Sequence, residues 1–234
     1  MKPKRIHWVD QWRGLAVLMM IVYHIGYDLN YLEIAPINQR SLFWFIEGNF
    51  VRLSFLLIVG LSLYLSSKKY KKFSDFFMRH VKRAIALFGI AMMVTLITFF
   101  VDRGNTILFG ILHLISFGIF FGVLLTKRPY LSVLFGLVSF YLGAAITCLR
   151  LDIPSLLPFG ITYPGFQSFD YFPLFPWIGF IFFGIAFAHF LDWMGVLFPK
   201  KWIPLKNLEW LGRHALFVYL IHQPILFGIL WLFA

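Results

Sequence analysis

The chain has 234 residues, of which 60% are hydrophobic, 21% are aromatic and only 13% are charged. Since a soluble domain carries about 45 to 50% apolar residues, this composition and a mean hydropathy of +0.80 exclude that class and predict an integral membrane protein. The formal net charge of +11 lies mostly in short segments between apolar runs. That placement is typical of topology signals and of contact with anionic membrane lipids, so nucleic-acid binding is not expected.

Seven apolar runs follow one another along the chain, each close to the roughly 20 residues that a helix needs to cross a bilayer. The runs are continuously apolar instead of alternating, which favours helices over a β-barrel. The sequence therefore predicts an all-α, multi-pass bundle that fills residues 1–234 as a single domain. The predicted spans are 12–30, 42–66, 77–101, 106–125, 130–149, 172–192 and 211–233.

Lys and Arg residues mark the cytoplasmic loops of membrane proteins. With seven spans, most of the 21 basic residues fall on one side of the membrane. Those residues are Lys2, Lys4, Arg5, Arg13, Lys68, Lys69, Lys71, Lys72, Arg79, Lys82, Arg83, Lys127, Arg128, Lys200, Lys201, Lys206 and Arg213. The distribution predicts an N-terminus in the cytoplasm and a C-terminus outside.

Residues 150–171 form the longest interruption of the helical pattern and contain Pro154, Pro158 and Pro164. Their leucines and phenylalanines are too apolar for a solvated linker, so we expect the segment to fold back over the outer face as a partial lid. The single Cys148 leaves no partner for an internal disulfide.

Ionisable side chains inside apolar spans are costly unless they face the bundle interior, so they are the first candidates for a functional site. His24 lies about 18 Å along the first span, and Asp28 follows one turn later, so the two can meet as an (i, i+4) pair. A carboxylate fixes the tautomer of a neighbouring imidazole. We therefore predict His24 as a general base and Asp28 as its orienting partner.

Other polar residues lie at comparable depth, and His222 lies about 17 Å from the inner end of the seventh span. We expect them to form a substrate-binding, oxyanion-stabilising or structural cluster. Its members are Glu47, Arg52, His113, Asp170, His222 and Gln223. No HExxH or comparably close ligand spacing appears, so no metal is expected.

Basic residues at the inner ends of the first and third spans can pair with the phosphates of a polyanionic cofactor as charge-assisted hydrogen bonds. The candidates are Arg13, Arg79, Lys82 and Arg83. Asp10 can cap the first helix or pair with Arg13. The Lys-rich segment 66–77 is typical of a solvated cytoplasmic turn.

Four motifs, in this order and spacing, resemble the small prokaryotic relatives of heparan-α-glucosaminide N-acetyltransferase. They are VDQWRGLA at 9–16 running on to Tyr23-His24, FGILH at 109–113, DYFPLFPW at 170–177 and YLIHQP at 219–224. In the lysosomal enzymes the proposed catalytic histidine lies in the loop after the first helix of this core. Here residues 29–42 contain no histidine, and His24 stands where those enzymes carry an asparagine.

The resemblance implies a transmembrane acyltransferase in the plasma membrane of a prokaryote. Such an enzyme takes an acetyl or other acyl group from cytoplasmic acyl-CoA and delivers it to an acceptor at the outer side, typically a sugar such as a cell-envelope glycan. The chain is shorter than the lysosomal core, so a second protomer could supply the last helices, and a homo-oligomer is one expected assembly.

Two other functions are compatible with the same polar residues. In a small proton-coupled transporter, His24 and Asp28 would relay protons and Arg52 would bind an anionic substrate. The sequence shows no internal repeat with broken helices, which is the pattern that favours a transporter. In a non-catalytic membrane subunit, the polar residues would only join helices by hydrogen bonds.

Overall fold

A computed structural model describes residues 6–199 and 201–233, so Lys2, Lys4, Arg5 and Lys200 lie outside the described residues. Within those ranges the chain is all-α, as predicted, with an isolated bridge between Arg150 and Thr162 in place of any strand. The eight helices are α1 His7–Tyr31, α2 Leu42–Ser67, α3 Phe73–Val101, α4 Ile111–Leu125, α5 Pro129–Ile146, α6 Leu174–Trp193, α7 Lys206–Arg213 and α8 Ala215–Trp231. Short 3₁₀ helices cover Arg103–Asn105 and Pro154–Phe159.

Four of the described helices, α2, α3, α5 and α6, are long and apolar enough to cross a membrane. A fifth span results if α7 and α8, which are bent by 84° at His214, count as one. Helix α4 is apolar but has 15 residues, or about 22 Å of length. Helix α1 has 25 residues but carries polar side chains along its length. By this criterion four to five of the seven predicted spans are supported.

The chain divides into two compact units. Unit 1 contains residues 1–55 and 198–234, and unit 2 contains residues 56–197. Unit 1 therefore joins α1 and the first half of α2 to α7 and α8. Unit 2 holds the second half of α2 with α3 to α6. The single domain that the sequence predicts stays a prediction.

In unit 1, α7 packs on the first half of α1 at two glycines. A Cβ atom on Gly14 would collide with the backbone of Leu208, and one on Gly212 would collide with the backbone of Asp10. Because the colliding atoms belong to the backbone, no side-chain rearrangement would relieve the overlap. The two helices can approach this closely only with glycine at both positions.

A hydrogen-bonded network lies beside this crossing. The Nε2 atom of Gln11 donates to Glu209 Oε1 at 3.1 Å and to the carbonyl of Ile203 at 2.8 Å. Its Oε1 atom accepts from Trp202 Nε1 at 2.8 Å, and His7 Nδ1 lies 3.0 Å from Glu209 Oε2. Gln11 and Glu209 are both buried, and their polar atoms are paired across α1 and α7.

In unit 2, α6 forms the centre of the packing. A Cβ atom on Gly184 would collide with the backbone of Leu57 on α2, and one on Gly118 of α4 would collide with the side chain of Ile181. Ile181 and Ile185 are fully buried. The core of this unit therefore lies where α2, α4 and α6 meet.

The connection from α5 to α6 is pinned to the ends of neighbouring helices in unit 2. The backbone N–H groups of Phe169 and Phe172 donate to the carbonyls of Asn105 and Phe109, both at 2.9 Å. The hydroxyl of Ser168 donates to the carbonyl of Thr106 at 3.0 Å. The segment is therefore packed and bonded, as its apolar composition predicts, and it is not a solvated linker.

Candidate functional site

The candidate site in unit 1 begins with His24, on the second half of α1. Its Nδ1 atom lies 2.8 Å from the carbonyl oxygen of Met20. A carbonyl can only accept, so Nδ1 carries the proton, and Nε2 of the neutral ring keeps its lone pair. The helix backbone therefore sets the tautomer of His24.

His222, on α8, lies edge-to-face against His24, with ring centroids 4.7 Å apart and an interplanar angle of 77°. Its Nδ1 atom lies 2.7 Å from the carbonyl oxygen of Tyr219, so this ring also carries its proton on Nδ1. Its Nε2 atom is buried and has no hydrogen-bond partner among the described residues. The two rings form a histidine pair whose Nε2 atoms are both available to take a proton.

Asp28 contacts α8 and not His24. Its Oδ1 atom accepts a hydrogen bond from Gln223 Nε2 at 2.8 Å. The predicted His24–Asp28 pair does not form, because Nδ1 of His24 is bonded to the helix carbonyl four residues earlier. Asp28 is 1% exposed, and its Oδ2 atom has no hydrogen-bond partner in the described part of the chain.

Glu47 and Arg52 lie on the first half of α2, which also belongs to unit 1. Glu47 is buried, and the guanidinium of Arg52 attracts its carboxylate electrostatically. Arg52 folds back along its own helix, and its Nε donates to the carbonyl of Gly48 at 2.9 Å. A Cβ atom on Gly48 would lie 3.0 Å from the ring of Tyr23, so this stretch of α2 packs on α1 next to His24.

We call His24, His222, Asp28, Gln223 and Glu47 the histidine-pair cluster. It accounts for every buried side-chain nitrogen or oxygen atom without a hydrogen-bond partner in residues 6–199 and 201–233. Those atoms are Asp28 Oδ2, Glu47 Oε1, Glu47 Oε2, His222 Nε2 and Gln223 Oε1. With both carboxyl groups ionised, each of the five atoms is an acceptor. Unpaired buried polar atoms are rare in proteins, and all of these belong to residues of unit 1, which makes this cluster the candidate functional site.

A second polar group, the cap cluster, lies in unit 2 at the start of α4 and contains Gly110, His113, Asp170 and Thr95. The Gly110 N–H donates to His113 Nδ1 at 3.2 Å, and the Ile111 N–H donates to Asp170 Oδ2 at 2.9 Å. The Nε2–H of His113 points to the Thr95 hydroxyl oxygen at 3.5 Å.

These bonds satisfy backbone N–H groups that the first turn of a helix leaves unpaired. A Cβ atom on Gly110 would collide with the Asp170 carboxylate, so the position requires glycine. His113 and Asp170 therefore cap α4. Of the alternatives that the sequence leaves open for them, the contacts favour a structural role.

The basic residues predicted to bind a cofactor are divided between the units. Arg13, in unit 1, donates from Nη1 to Asp10 Oδ1 at 3.1 Å and to the carbonyl of Gly212 at 3.4 Å. Arg79, Lys82 and Arg83 are exposed on the first half of α3 in unit 2. Arg13 thus joins α1 to α7, while the three residues on α3 present free charge at the surface of their helix.

Among the described residues, no group of three His, Cys, Asp or Glu side chains is arranged to hold a metal ion.

Comparison with known proteins identifies a family. No curated protein and no solved structure matches the chain. The sequence pattern described as "Heparan-alpha-glucosaminide N-acetyltransferase, catalytic" matches residues 5–224, a range that contains both polar clusters. The chain belongs to the heparan-alpha-glucosaminide N-acetyltransferase catalytic family.

Proposed function

We propose that the protein transfers an acetyl group from acetyl-CoA, bound at the cytoplasmic face, to a hydroxyl or amine of a sugar acceptor that enters from the outer side of the membrane. Family membership supports the reaction class. The observation that carries the proposal is the histidine pair, which combines two unprotonated ring nitrogens with buried, unpaired acceptor atoms.

In the proposed step, Nε2 of His24 removes a proton from the acceptor hydroxyl or amine. The freed lone pair attacks the thioester carbonyl carbon and forms a new C–O or C–N bond. The carbon–sulfur bond then breaks, and the CoA sulfur leaves with its electron pair and takes the proton back from the imidazolium. The products are an ester or amide and CoA with a free thiol. General-base catalysis of this kind contributes roughly 10² to 10⁴ in rate.

The unpaired atoms of the cluster support an acceptor that brings several donors. When they are ionised, the carboxylates of Asp28 and Glu47 accept hydrogen bonds through these atoms but cannot donate them, and the same holds for the Gln223 amide oxygen. A sugar hydroxyl or amine group supplies such donors, whereas a ligand that offers only acceptors would leave the buried atoms unsatisfied at a cost of about 1 to 3 kcal/mol each.

For the donor substrate, we propose that Arg79, Lys82 and Arg83 attract the phosphates of acetyl-CoA. They are exposed on one helix and lie on the side to which the loop charges assign the cytoplasm. Arg13 is already bonded to Asp10 and Gly212, so we assign it the role of holding α7 on α1.

The experiment uses the full chain in sealed proteoliposomes, with acetyl-CoA on one side and D-glucosamine on the other. Radiolabelled acetyl transfer should require acetyl-CoA on the side of the Lys-rich loops. His24→Ala should lower transfer by roughly 10² to 10⁴, because the base is lost.

His214→Ala is the matched control. His214 makes the same bond to the carbonyl four residues earlier, at 2.8 Å from Trp210, but it is exposed and lies outside the cluster. We expect its transfer rate to equal that of the parent. A folded His24→Ala protein that transfers acetyl groups at the parental rate would eliminate the assignment.

A further inference from the structure

Unit 2 contains a cavity of about 550 Å³ that is separate from both polar clusters. The end of α5, the connection that follows it and the start of α6 line this cavity, which is open to the surface on one side. Its lining residues are Gly143, Ile146, Thr147, Arg150, Gly160, Thr162, Tyr163, Pro164, Gly165, Phe166, Tyr171, Pro173, Phe175 and Pro176. Volumes of roughly 300 to 1,000 Å³ are typical of sites for small organic ligands, so this one exceeds what a single inorganic ion would fill.

Arg150 is the charged residue of this lining. Its Nη1 atom donates to the carbonyls of Thr147 and Leu149 at 3.1 and 3.0 Å. These bonds hold the guanidinium at the end of α5. Its Nε and Nη2 groups have no hydrogen-bond acceptor in the part of the chain that the structure describes. A guanidinium with its remaining donors free is suited to bind a carboxylate or phosphate through paired hydrogen bonds.

Three aromatic residues form one wall of the cavity. The ring of Phe166 packs edge-to-face on Tyr163 and on Tyr171, with centroid distances of 5.3 and 4.9 Å. The Tyr171 hydroxyl donates to the carbonyl of Leu157 at 2.7 Å. Burial raises the pKa of Tyr171 to about 12, so its phenol stays neutral and keeps this bond at physiological pH. The wall is therefore fixed from behind by a hydrogen bond.

Backbone geometry keeps the cavity open. Gly160 has a φ of +112°, and a Cβ atom there would lie 3.2 Å from Ile146 Cδ1 and from the carbonyl oxygen of Phe175. Gly165 has a φ of +76°. Both turns adopt left-handed conformations that other residues enter only with strain. Gly160 and Gly165 therefore allow the tight turns by which the connection between α5 and α6 surrounds the cavity.

We propose that this cavity binds an acidic saccharide, with its carboxylate or phosphate on Arg150 and a pyranose ring against the aromatic wall. Aromatic rings pack well on the apolar C–H face of a sugar. Thr162 offers a hydroxyl group for its polar edge, and Thr147, whose hydroxyl donates to the carbonyl of Gly143 at 2.6 Å, can still accept a hydrogen bond from it. The volume suits roughly one or two hexose rings. A lipid chain would leave the remaining donors of the Arg150 guanidinium unpaired, and an inorganic ion would leave the aromatic wall uncovered.

This inference goes beyond the proposed function, because it concerns binding in unit 2 and requires no acyl transfer. The experiment measures binding to the detergent-solubilised full chain without acyl-CoA, by saturation-transfer NMR and calorimetry. The probes are glucuronate, glucose 6-phosphate, neutral glucose and inorganic phosphate. We expect both acidic sugars to bind at least tenfold more tightly than glucose and than phosphate alone. The stronger of the two identifies the anionic group.

Arg150→Gln should weaken binding of the acidic sugars roughly ten- to a hundredfold, because it removes charge-assisted hydrogen bonds. Arg103→Gln is the matched control, since Arg103 is also exposed in unit 2 but stacks on Phe99 and does not line the cavity. Tyr163→Ala keeps Arg150 and its backbone bonds, and it should also weaken sugar binding while leaving phosphate binding unchanged.

Equal binding of glucose and glucuronate would overturn the proposal, as would equal loss in Arg150→Gln and Arg103→Gln. Tight binding of phosphate alone would also overturn it, because the ring would then add nothing. None of these outcomes depends on the histidine pair. A parent protein that binds acidic sugars but transfers no acetyl group would contradict only the proposed function, and one that transfers acetyl groups but binds no acidic sugar would contradict only this inference.

Discussion

The histidine-pair cluster and the cap cluster contain similar residues, yet they differ in how fully their hydrogen bonds are paired. Each has histidine and aspartate in a mainly apolar unit. In the cap cluster both nitrogens of His113 face a partner, and Asp170 accepts from the first turn of α4. In the histidine-pair cluster, Nε2 of His222 and Oδ2 of Asp28 are buried without one.

This difference separates two roles of a polar side chain that is buried in an apolar unit. A polar side chain in an apolar unit that is fully bonded stabilises the fold and has no capacity left for a ligand. One that is only half bonded lowers stability, and proteins retain such groups where a substrate completes the pairing. Hydrogen-bond saturation thus distinguishes the clusters where residue type does not.

The largest expected difference lies between alanine substitutions of His222 and His113, one histidine from each cluster. His222→Ala should lower acetyl transfer about 10²-fold, because it removes the ring that packs on the proposed base His24 and one of the unpaired acceptors of the cluster. It should cause little loss of folded protein, because Nε2 has no structural partner. His113→Ala should leave the rate per folded molecule unchanged. It should lower stability by about 1 to 3 kcal/mol, since the Gly110 N–H loses its acceptor.

Initial rates per monodisperse protein and thermal midpoints measure the two quantities separately. The reverse pattern, with His222→Ala merely unstable and His113→Ala inactive, would show that pairing does not predict function here.

A smaller effect is expected from Asp28→Asn. Asparagine preserves shape and can still accept from Gln223, but the bond loses its charge, a difference of about 1 kcal/mol. We expect roughly fivefold slower transfer if Asp28 binds the acceptor substrate. The matched Asp170→Asn protein should transfer at the parental rate. Rates measured across a series of acceptor concentrations test this, because the loss at Asp28 should appear mainly in KM.

The smallest effect should come from removing the cap altogether. Asp170→Ala takes away an acceptor for the first turn of α4 and should cost about 1 kcal/mol, which corresponds to a fall of about 2 to 4 °C in the midpoint of unfolding. Asp102→Ala is a suitable control, because that side chain caps only the short 3₁₀ helix and is half-exposed. A large loss of transfer per folded Asp170→Ala molecule would place the cap cluster in the reaction.

Hydropathy predicts much of the helical fold. The predicted span 42–66 corresponds to α2, Leu42–Ser67, and 130–149 corresponds to α5, Pro129–Ile146. Most of the predicted span 211–233 corresponds to α8, Ala215–Trp231, but its first residues belong to α7, and the bend of 84° at His214 was not predicted. Charged residues end at Arg213 and apolar residues begin at Ala215, so the change in composition was visible. The direction of a bend depends on packing, and hydropathy does not report that.

For the site, the sequence predicts only how far each residue lies along its membrane span. His24 and His222 were placed about 18 and 17 Å from the same face, which is the signal that they could meet. The (i, i+4) rule favoured Asp28 as the partner of His24, but it ignores the helix carbonyl that competes for Nδ1. Pairing between α1 and α8 is a tertiary contact. A single sequence indicates how deep each residue lies along its own span, but it does not identify the residue that it contacts on another helix.

The discontinuous composition of unit 1 has a consequence for biosynthesis. The bonds from Gln11 to Trp202 and from His7 to Glu209 join residues 191 and 202 positions apart, and Asp28 and Gln223 are 195 apart. Unit 2, in contrast, is continuous in sequence. During translation, His7, Gln11 and Asp28 on α1 must therefore wait for these partners until residues 202–223 emerge. The histidine pair exists only after that last step, so a nascent chain that ends within unit 2 lacks the candidate site.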